Sequence, residues 1–342
     1  MGCVDSKLKT QNSKLTKMTY EELLKQTALN DDRFIVMTAE NRALVRTLPA
    51  VLKGRFIDTG ITEQTMIGAA AGLALRGRIP VVHALASFLT MRAFEFIRTD
   101  AGIPNLPLKL SSFIPGFLSD GNGATHQAIE DIALMRGIPN MTVFAAADED
   151  DLVKMLPQIW ALPNPSYVRI CTRPPSVYLG FGMSDFGKKA FHQDFEIGKA
   201  EVISEGSDVT ILTYGFVFEQ CLIAKDILES EGLSVGLLNM RSLKPVDEAA
   251  ILKVVKNSDM LVTVEDHFQT GGLYSILAEV LLKNQITAKV LPIALEEKWF
   301  KPARLNEVLE YEGFTGKQIA ERILGTKVTA TQPEIALTEF AE

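Results

Sequence analysis

A chain of 342 residues, 47% hydrophobic and 23% charged, is long enough for two domains with full cores. Its net charge of −7 leaves no basic footprint for nucleic acid or an anionic membrane, and Cys3, Cys171 and Cys221 are too scattered for a disulfide framework or a zinc site. No apolar run approaches the ~20 residues needed to cross a bilayer and no secretory segment opens the chain, so a cytoplasmic protein is expected. The opening MGCVDS fits a myristoylation pattern on Gly2, but a polar leader over 1–17 is the simpler reading of so short a motif. Apolar runs of strand length then alternate with helical patterns, which argues for α/β architecture with largely parallel sheets. The first half predicts strand Phe34–Thr38, helix or loop Asn41–Leu52, helix Gly60–Leu75, strand Ile79–Ala84, amphipathic helix Phe88–Asp100 and strand Leu108–Ile114. After a glycine-bearing loop come helix Gln127–Met135, strand Met141–Ala145, helix Glu149–Ala161 and strand Tyr167–Ile170.

Residues 174–195 carry prolines, glycines and aromatics without periodicity and read as a linker between domains at 18–173 and 196–326. The second alternation predicts strands Asp208–Tyr214, Ser234–Asn239, Met260–Glu265 and Ala288–Ile293. Between and after them lie helices Phe216–Glu231, Asp247–Asn257, Gly272–Asn284, Arg304–Leu309 and Thr315–Leu324, and residues 327–342 form a peripheral tail.

Chemistry concentrates in the first half. Glu63 stands at the mouth of a helix rich in small residues, Gly68, Ala69, Ala70, Ala71, Gly72 and Ala74, which can approach another backbone closely. A carboxyl there loses hydration, which favours its neutral form, and a neutral carboxyl facing a dry cleft can donate a hydrogen bond to a ring nitrogen. An acid in a first turn also suits the helix dipole, and Thr62 can cap the helix, so this segment alone leaves both readings open. Leu85, Phe88 and Met91 recur every third residue and could wall a flat ring, although such a stripe is also a core pattern. Gly121 and Gly123 loosen the backbone before Thr125, His126 and Gln127, placing His126 either to meet a substrate oxygen or to face solvent. YVRICTRPP brings Arg169 and Arg173 to a strand end, where α/β folds bind ligands; Arg173 could grip an anion or form a surface ion pair.

Glu63 in GITEQ, the strand and helix entry carrying Phe88, GATHQ followed by DIALMRGIPN, and the strand-end arginine follow in an order that resembles transketolases. NMRSLKPVD at 239–247 and VTVEDHFQTGGLYS at 262–275 are similar to that family's C-terminal domain, so the resemblance runs over residues 18–326. It implies a split-type subunit made of a thiamine diphosphate pyrimidine-binding domain and a transketolase C-terminal domain. 1-Deoxyxylulose-5-phosphate synthase shares much of this pattern. The E1 β subunits of 2-oxoacid dehydrogenases share the architecture but resemble the GATHQ loop less.

The resemblance also implies roles. Glu63 would hydrogen-bond N1′ of the cofactor's aminopyrimidine and so activate the cofactor. Leu85, Phe88 and Met91 would line the pyrimidine, with Phe88 stacked on it, while His126 would contact the ketose and Arg173 the acceptor's distal anion. Asn122 stands where relatives carry an aspartate that reads a hydroxyl beside the aldehyde. Leu85 replaces an aromatic and Met91 a tyrosine or arginine, so an altered acceptor is expected. His83 occupies a position that is small or apolar in relatives and is a candidate substrate contact, whereas His267 is expected to be structural or interfacial. A GDG-type diphosphate motif is missing, so a separate N-terminal diphosphate-binding subunit would hold the diphosphate and its Mg2+ or Ca2+, in at least an α2β2 assembly. The expected activity is transfer of a two-carbon ketol unit between sugars or sugar phosphates, or to a related specialised acceptor. The alternatives are an acyloin transferase using a 2-oxoacid donor and a non-catalytic paralogue.

Overall fold

The computed structural model describes residues 18–171 and 192–330, with side chains to 326. The leader, Arg173, most of the expected linker and residues 331–342 therefore lie outside the described residues.

Thr19 opens α1 (Tyr20–Asn30) through a reciprocal capping box with Glu22. This helix is absent from the predicted elements because it buries only Tyr20, Leu24 and Ala28, a narrow stripe in a polar run. There follow β1 (Phe34–Thr38), α2 (Leu48–Leu52), β2 (Phe56–Asp58), α3 (Glu63–Leu75) and β3 (Ile79–Leu85). The amphipathic helix expected over Phe88–Asp100 is instead two π-helical turns, Phe88–Arg92 and Ile97–Gly102, flanking the single turn α4 (Phe94–Phe96). After β4 (Lys109–Phe113), the expected helix at Gln127 begins only at α5 (Asp131–Arg136), because residues 116–130 are taken up by 3₁₀ turns and extended backbone. β5 (Thr142–Ala145), α6 (Glu149–Ala161) and β6 (Ser166–Ile170) complete this half.

The second half runs β7 (Glu201–Ser204), β8 (Val209–Thr213), α7 (Phe218–Ser230), β9 (Val235–Asn239), β10 (Ser242–Lys244), α8 (Glu248–Asn257), β11 (Leu261–Phe268), α9 (Leu273–Lys283), β12 (Val290–Leu295), α10 (Leu305–Glu312) and α11 (Gly316–Ala330). Two α/β units result, with the mostly parallel sheets that the alternation predicts. The seven-stranded sheet has the order β10-β5-β6-β4-β3-β1-β2, and only the β10–β5 pair is antiparallel. The five-stranded sheet has the order β12-β11-β8-β9-β7, with β7 antiparallel to β9. β1, β4, β6, β8 and β9 are buried along their whole length, as helices covering both faces of a sheet require.

The two units are locked together by polar groups. β10 belongs to the second half of the chain yet pairs with the edge of the first sheet, Ser242 opposite Phe144. Lys244 Nζ donates to the carbonyls of Arg136 at 2.9 Å and Ile138 at 2.5 Å. Fully buried Arg169 on β6 reaches Asp131 on α5 through Nε at 2.9 Å and Asp266 on β11 through Nη1 at 2.7 Å. Arg169 is thus a structural ion pair across the seam, which corrects the expectation of a ligand-binding strand end at this position.

A second buried cluster sits where the chain enters the C-terminal unit. His192 Nδ1 lies 2.8 Å from Glu201 and its Nε2 lies 3.3 Å from Asp148. Asn239 Nδ2 donates to Glu201 at 3.0 Å, and Arg241 Nη1 to Asp151 at 3.2 Å. Burial opposes a charge on His192, but its bonds to Asp148 and Glu201 and the charge of Asp151 outweigh it and raise its pKa to about 10. Asp151, His192 and Glu201 bring their ligand atoms within 4.8 Å of one another, the only such group among the described residues. A protonated imidazole and the Arg241 guanidinium already supply the positive charge a metal ion would bring.

Candidate active site

Glu63 is the first residue of α3, and its carboxylate is only 2% exposed. Gly60, at φ +70°, turns the chain into the helix. Thr62 does not cap: its hydroxyl donates back to the Thr59 carbonyl at 2.9 Å, which removes the capping alternative. The acid meets Arg92 instead, whose Nη1 donates to Glu63 Oε2 at 2.9 Å.

Arg92 ends the π-helical turn that starts at Phe88, a widened turn of the kind that recurs at functional sites. Its guanidinium carbon lies 4.1 Å from the centroid of the Phe88 ring. The Phe88 ring in turn meets His126, with centroids 4.9 Å apart and planes inclined at 63°. Carboxylate, guanidinium, benzene ring and imidazole form one continuous row drawn from α3, the turn after β3 and the glycine loop.

That loop is held under strain. Ile114, Gly116, Asp120 and Gly123 all take positive φ, and such outliers cluster at binding sites. The Gly116 amide donates to the Ala128 carbonyl at 2.9 Å, and the His126 amide to the Gly123 carbonyl at 2.9 Å. Buried Gln127 ties the loop to the C-terminal unit by donating Nε2 to the Phe300 carbonyl at 2.7 Å. His126 Nδ1 lies 2.9 Å from the Thr125 hydroxyl, and its ring is partly exposed. Asn122 is exposed and donates to the Ser119 carbonyl at 2.8 Å.

The structure therefore gathers Glu63, Phe88 and His126, with Asn122 on the same loop as His126. Leu85 ends β3 while Met91 lies in the π-turn, so the every-third-residue stripe is not one helical face. His83 is also corrected. It is fully buried, its Nδ1 donates to the Met37 carbonyl at 3.0 Å, and its Nε2 accepts from the Tyr20 hydroxyl at 2.6 Å. Burial pushes its pKa down to about 4, leaving a neutral core histidine that joins β3 to α1. His267 is structural, as expected: Nδ1 lies 2.7 Å from the Phe268 carbonyl, Nε2 accepts from the Ala133 amide, and burial lowers its pKa to about 4. Arg92 is the residue that sequence reasoning missed. Its signal is a cation four residues after Phe88 in an otherwise apolar segment.

The model for the transketolase pyrimidine-binding domain matches residues 13–173, and that for the transketolase C-terminal domain matches residues 198–319. The chain belongs to the transketolase family. It is 36% identical over 270 residues to a putative transketolase C-terminal section of Methanocaldococcus jannaschii, covering 79% of this chain and 82% of that protein. It is 35% identical to a 6-deoxy-6-sulfo-D-fructose transketolase subunit of Clostridium sp., covering 78% of this chain and 80% of the relative. A 1-deoxy-D-xylulose-5-phosphate synthase of Dictyoglomus thermophilum is 36% identical, but the match spans only 42% of that longer protein. Among solved structures, a split gene transketolase described as an inactive beta4 tetramer superposes with a TM-score of 0.76 at 31% identity, covering 90% of this chain and 96% of that one. Transketolase from Campylobacter jejuni shares the fold, with a TM-score of 0.72 at 20% identity over 45% of its length.

Membership of the transketolase family implies dependence on thiamine diphosphate, and the residues present fit its pyrimidine half. A flat nitrogen-bearing cation already lies against the Phe88 ring while hydrogen-bonding Glu63. A flat ring with a nitrogen at its edge calls for the same pair. No helix among the described residues is long and apolar enough to cross a membrane.

Proposed function

We propose that this chain is the pyrimidine-side subunit of a two-component transketolase that moves a two-carbon ketol unit between sugar phosphates. The observation that carries the reading is Glu63, buried at the start of α3 and in one row with Phe88 and His126. When bound, thiamine diphosphate supplies the nucleophilic carbon. Glu63 holds the proton at the pyrimidine edge, Phe88 supplies the stacking face, and His126 on its strained loop hydrogen-bonds the ketose oxygens. Leu85 and Met91 are assigned to the pyrimidine as well, and Asn122 and Arg173 to the acceptor. The partner is an N-terminal diphosphate-binding subunit that holds the diphosphate and its Mg2+ or Ca2+, in an α2β2 complex with two sites. Likeness to proteins named as C-terminal sections and split-gene transketolases supports that partner.

The test is reconstitution with a diphosphate-domain subunit encoded beside this chain, followed by a ketol-transfer assay with thiamine diphosphate and magnesium. Transfer that needs both chains and falls by at least a hundredfold in Glu63→Gln is the expected result. Full activity of this chain alone, or an unaffected Glu63→Gln complex, would overturn the reading. Likeness to 1-deoxy-D-xylulose-5-phosphate synthases favours a second one, in which a 2-oxoacid is the donor. Pyruvate in place of the ketose in the same assay separates the two. The name of the Clostridium relative makes 6-deoxy-6-sulfo-D-fructose a donor worth including.

A further inference from the structure

We propose that Arg92 stands in the aminopyrimidine's place in the cofactor-free subunit, and that its guanidinium must leave before the cofactor can load. The inference rests on the pyrimidine-binding role of Glu63 and Phe88 proposed above. A guanidinium is planar, carries N–H groups at its edge and stacks on aromatic faces. Here it engages both groups assigned to the pyrimidine, donating to Glu63 at 2.9 Å where the ring nitrogen would accept, and lying over the Phe88 ring at 4.1 Å. Two flat groups cannot occupy one ring face at van der Waals distance. His126, whose ring centroid lies 4.9 Å from that of Phe88, takes a further part of the ring's surroundings.

The partners differ in freedom. Glu63 is 2% exposed and held at the start of a helix, whereas the Arg92 side chain is 38% exposed at the end of a π-turn. Arg92 is therefore the member that can swing out. The contact has a physical basis: without Arg92 the buried Glu63 carboxyl would lose the donor it meets, and an unpartnered buried acid is costly. The same contact competes with loading. A site open in only a fraction of molecules binds with an affinity reduced by that fraction, so removal of the stand-in should tighten cofactor binding.

The experiment is equilibrium dialysis of thiamine diphosphate with magnesium against the reconstituted complex, in wild type, Arg92→Met, Arg92→Gln and Arg92→Lys forms. Arg92→Met keeps an apolar stem on Phe88 but cannot bond Glu63, and should bind roughly tenfold more tightly, the order of one charge-assisted hydrogen bond. Arg92→Lys keeps the charge without the flat stack and should fall between Arg92→Met and wild type. Thermal unfolding without cofactor should show a lowered midpoint in Arg92→Met, and the deficit should vanish at saturating cofactor. If Arg92→Met does not fold, Arg92→Gln carries the same expectation of tighter binding. Equal or weaker binding by the folded variants would overturn the stand-in while leaving the pyrimidine-side reading intact. No binding by wild type or any variant would remove that reading, and this proposal with it.

Discussion

Replacing Arg169 by Met removes the cation at the centre of the seam and leaves its partners in place. Three hydrogen bonds go with it: to Asp131 at 2.9 Å, to Asp266 at 2.7 Å and to the Ala128 carbonyl at 3.4 Å. Both carboxylates are essentially inaccessible, and only Asp131 keeps a strong neighbour, the Tyr167 hydroxyl at 2.5 Å. Breaking one buried pair in this way costs about 3–5 kcal/mol, most of it from the charge left behind. Taking about 4 kcal/mol, the melting midpoint should fall by roughly 8–16 °C for a unit of this size. Urea and thermal unfolding followed by circular dichroism at pH 7 read the loss directly. Burial holds the Asp266 carboxyl above its ordinary range, with Arg169 opposing that shift. Without Arg169 the folded state takes up a proton more readily than the unfolded chain, so the deficit should shrink as pH falls. Replacing all three groups with neutral ones, Asp131→Asn and Asp266→Asn alongside Arg169→Met, should restore much of the stability. A loss below about 1 kcal/mol, or a triple variant no better than the single one, would refute this account of the seam.

Two further outcomes follow from the same geometry. Gly116 has φ +56°, and a Cβ there would lie 1.8 Å from Asp266 Oδ2, so Gly116→Ala should lose about 3 kcal/mol or more and lower ketol transfer by displacing the His126 loop; an unchanged urea midpoint would count against it. His192→Gln should cost roughly 3 kcal/mol near neutral pH by leaving Asp151 and Glu201 without the imidazolium. Because the folded pKa of His192 is raised from 6.5 to about 10, this stabilisation is fully present below pH 6.5 and fades as pH rises towards 10. Unfolding curves of wild type and variant should therefore converge across that window, and a gap that stays constant would show that His192 carries no charge in the fold.

The helix that begins at Glu63 and the helix Glu149–Ala161 were legible in the chain, as were the buried strands, because each is encoded by residues adjacent to one another. A strand buried on both faces is in general a short, mainly apolar run, even where polar residues such as Lys109 or Arg169 interrupt it, and a helix start carries its own first turn. The recurring motifs marked Glu63, Phe88 and His126 in the same local way. The expected helix over Phe88–Asp100 shows the limit: its apolar spacing suits a helix, and the spacing does not reveal that its turns are π-helical or that Arg92 reaches Glu63. His83 looks like a site residue in the sequence because relatives carry a small or apolar residue there, and Arg169 because it stands at a strand end. Only the sheet shows that His83 faces Tyr20 and that Arg169 lies between two carboxylates from different units.

Local order therefore determined the fold class, the two α/β units and the acid at the helix mouth, since hydrophobic period and helix-start chemistry act over a few residues. Tertiary structure decided which charges meet: Arg92 with Glu63 across 29 residues, and Arg169 with Asp266 across 97. The physical reason is that a buried charge is tolerated only where another part of the chain brings its countercharge, and no local pattern records that partner.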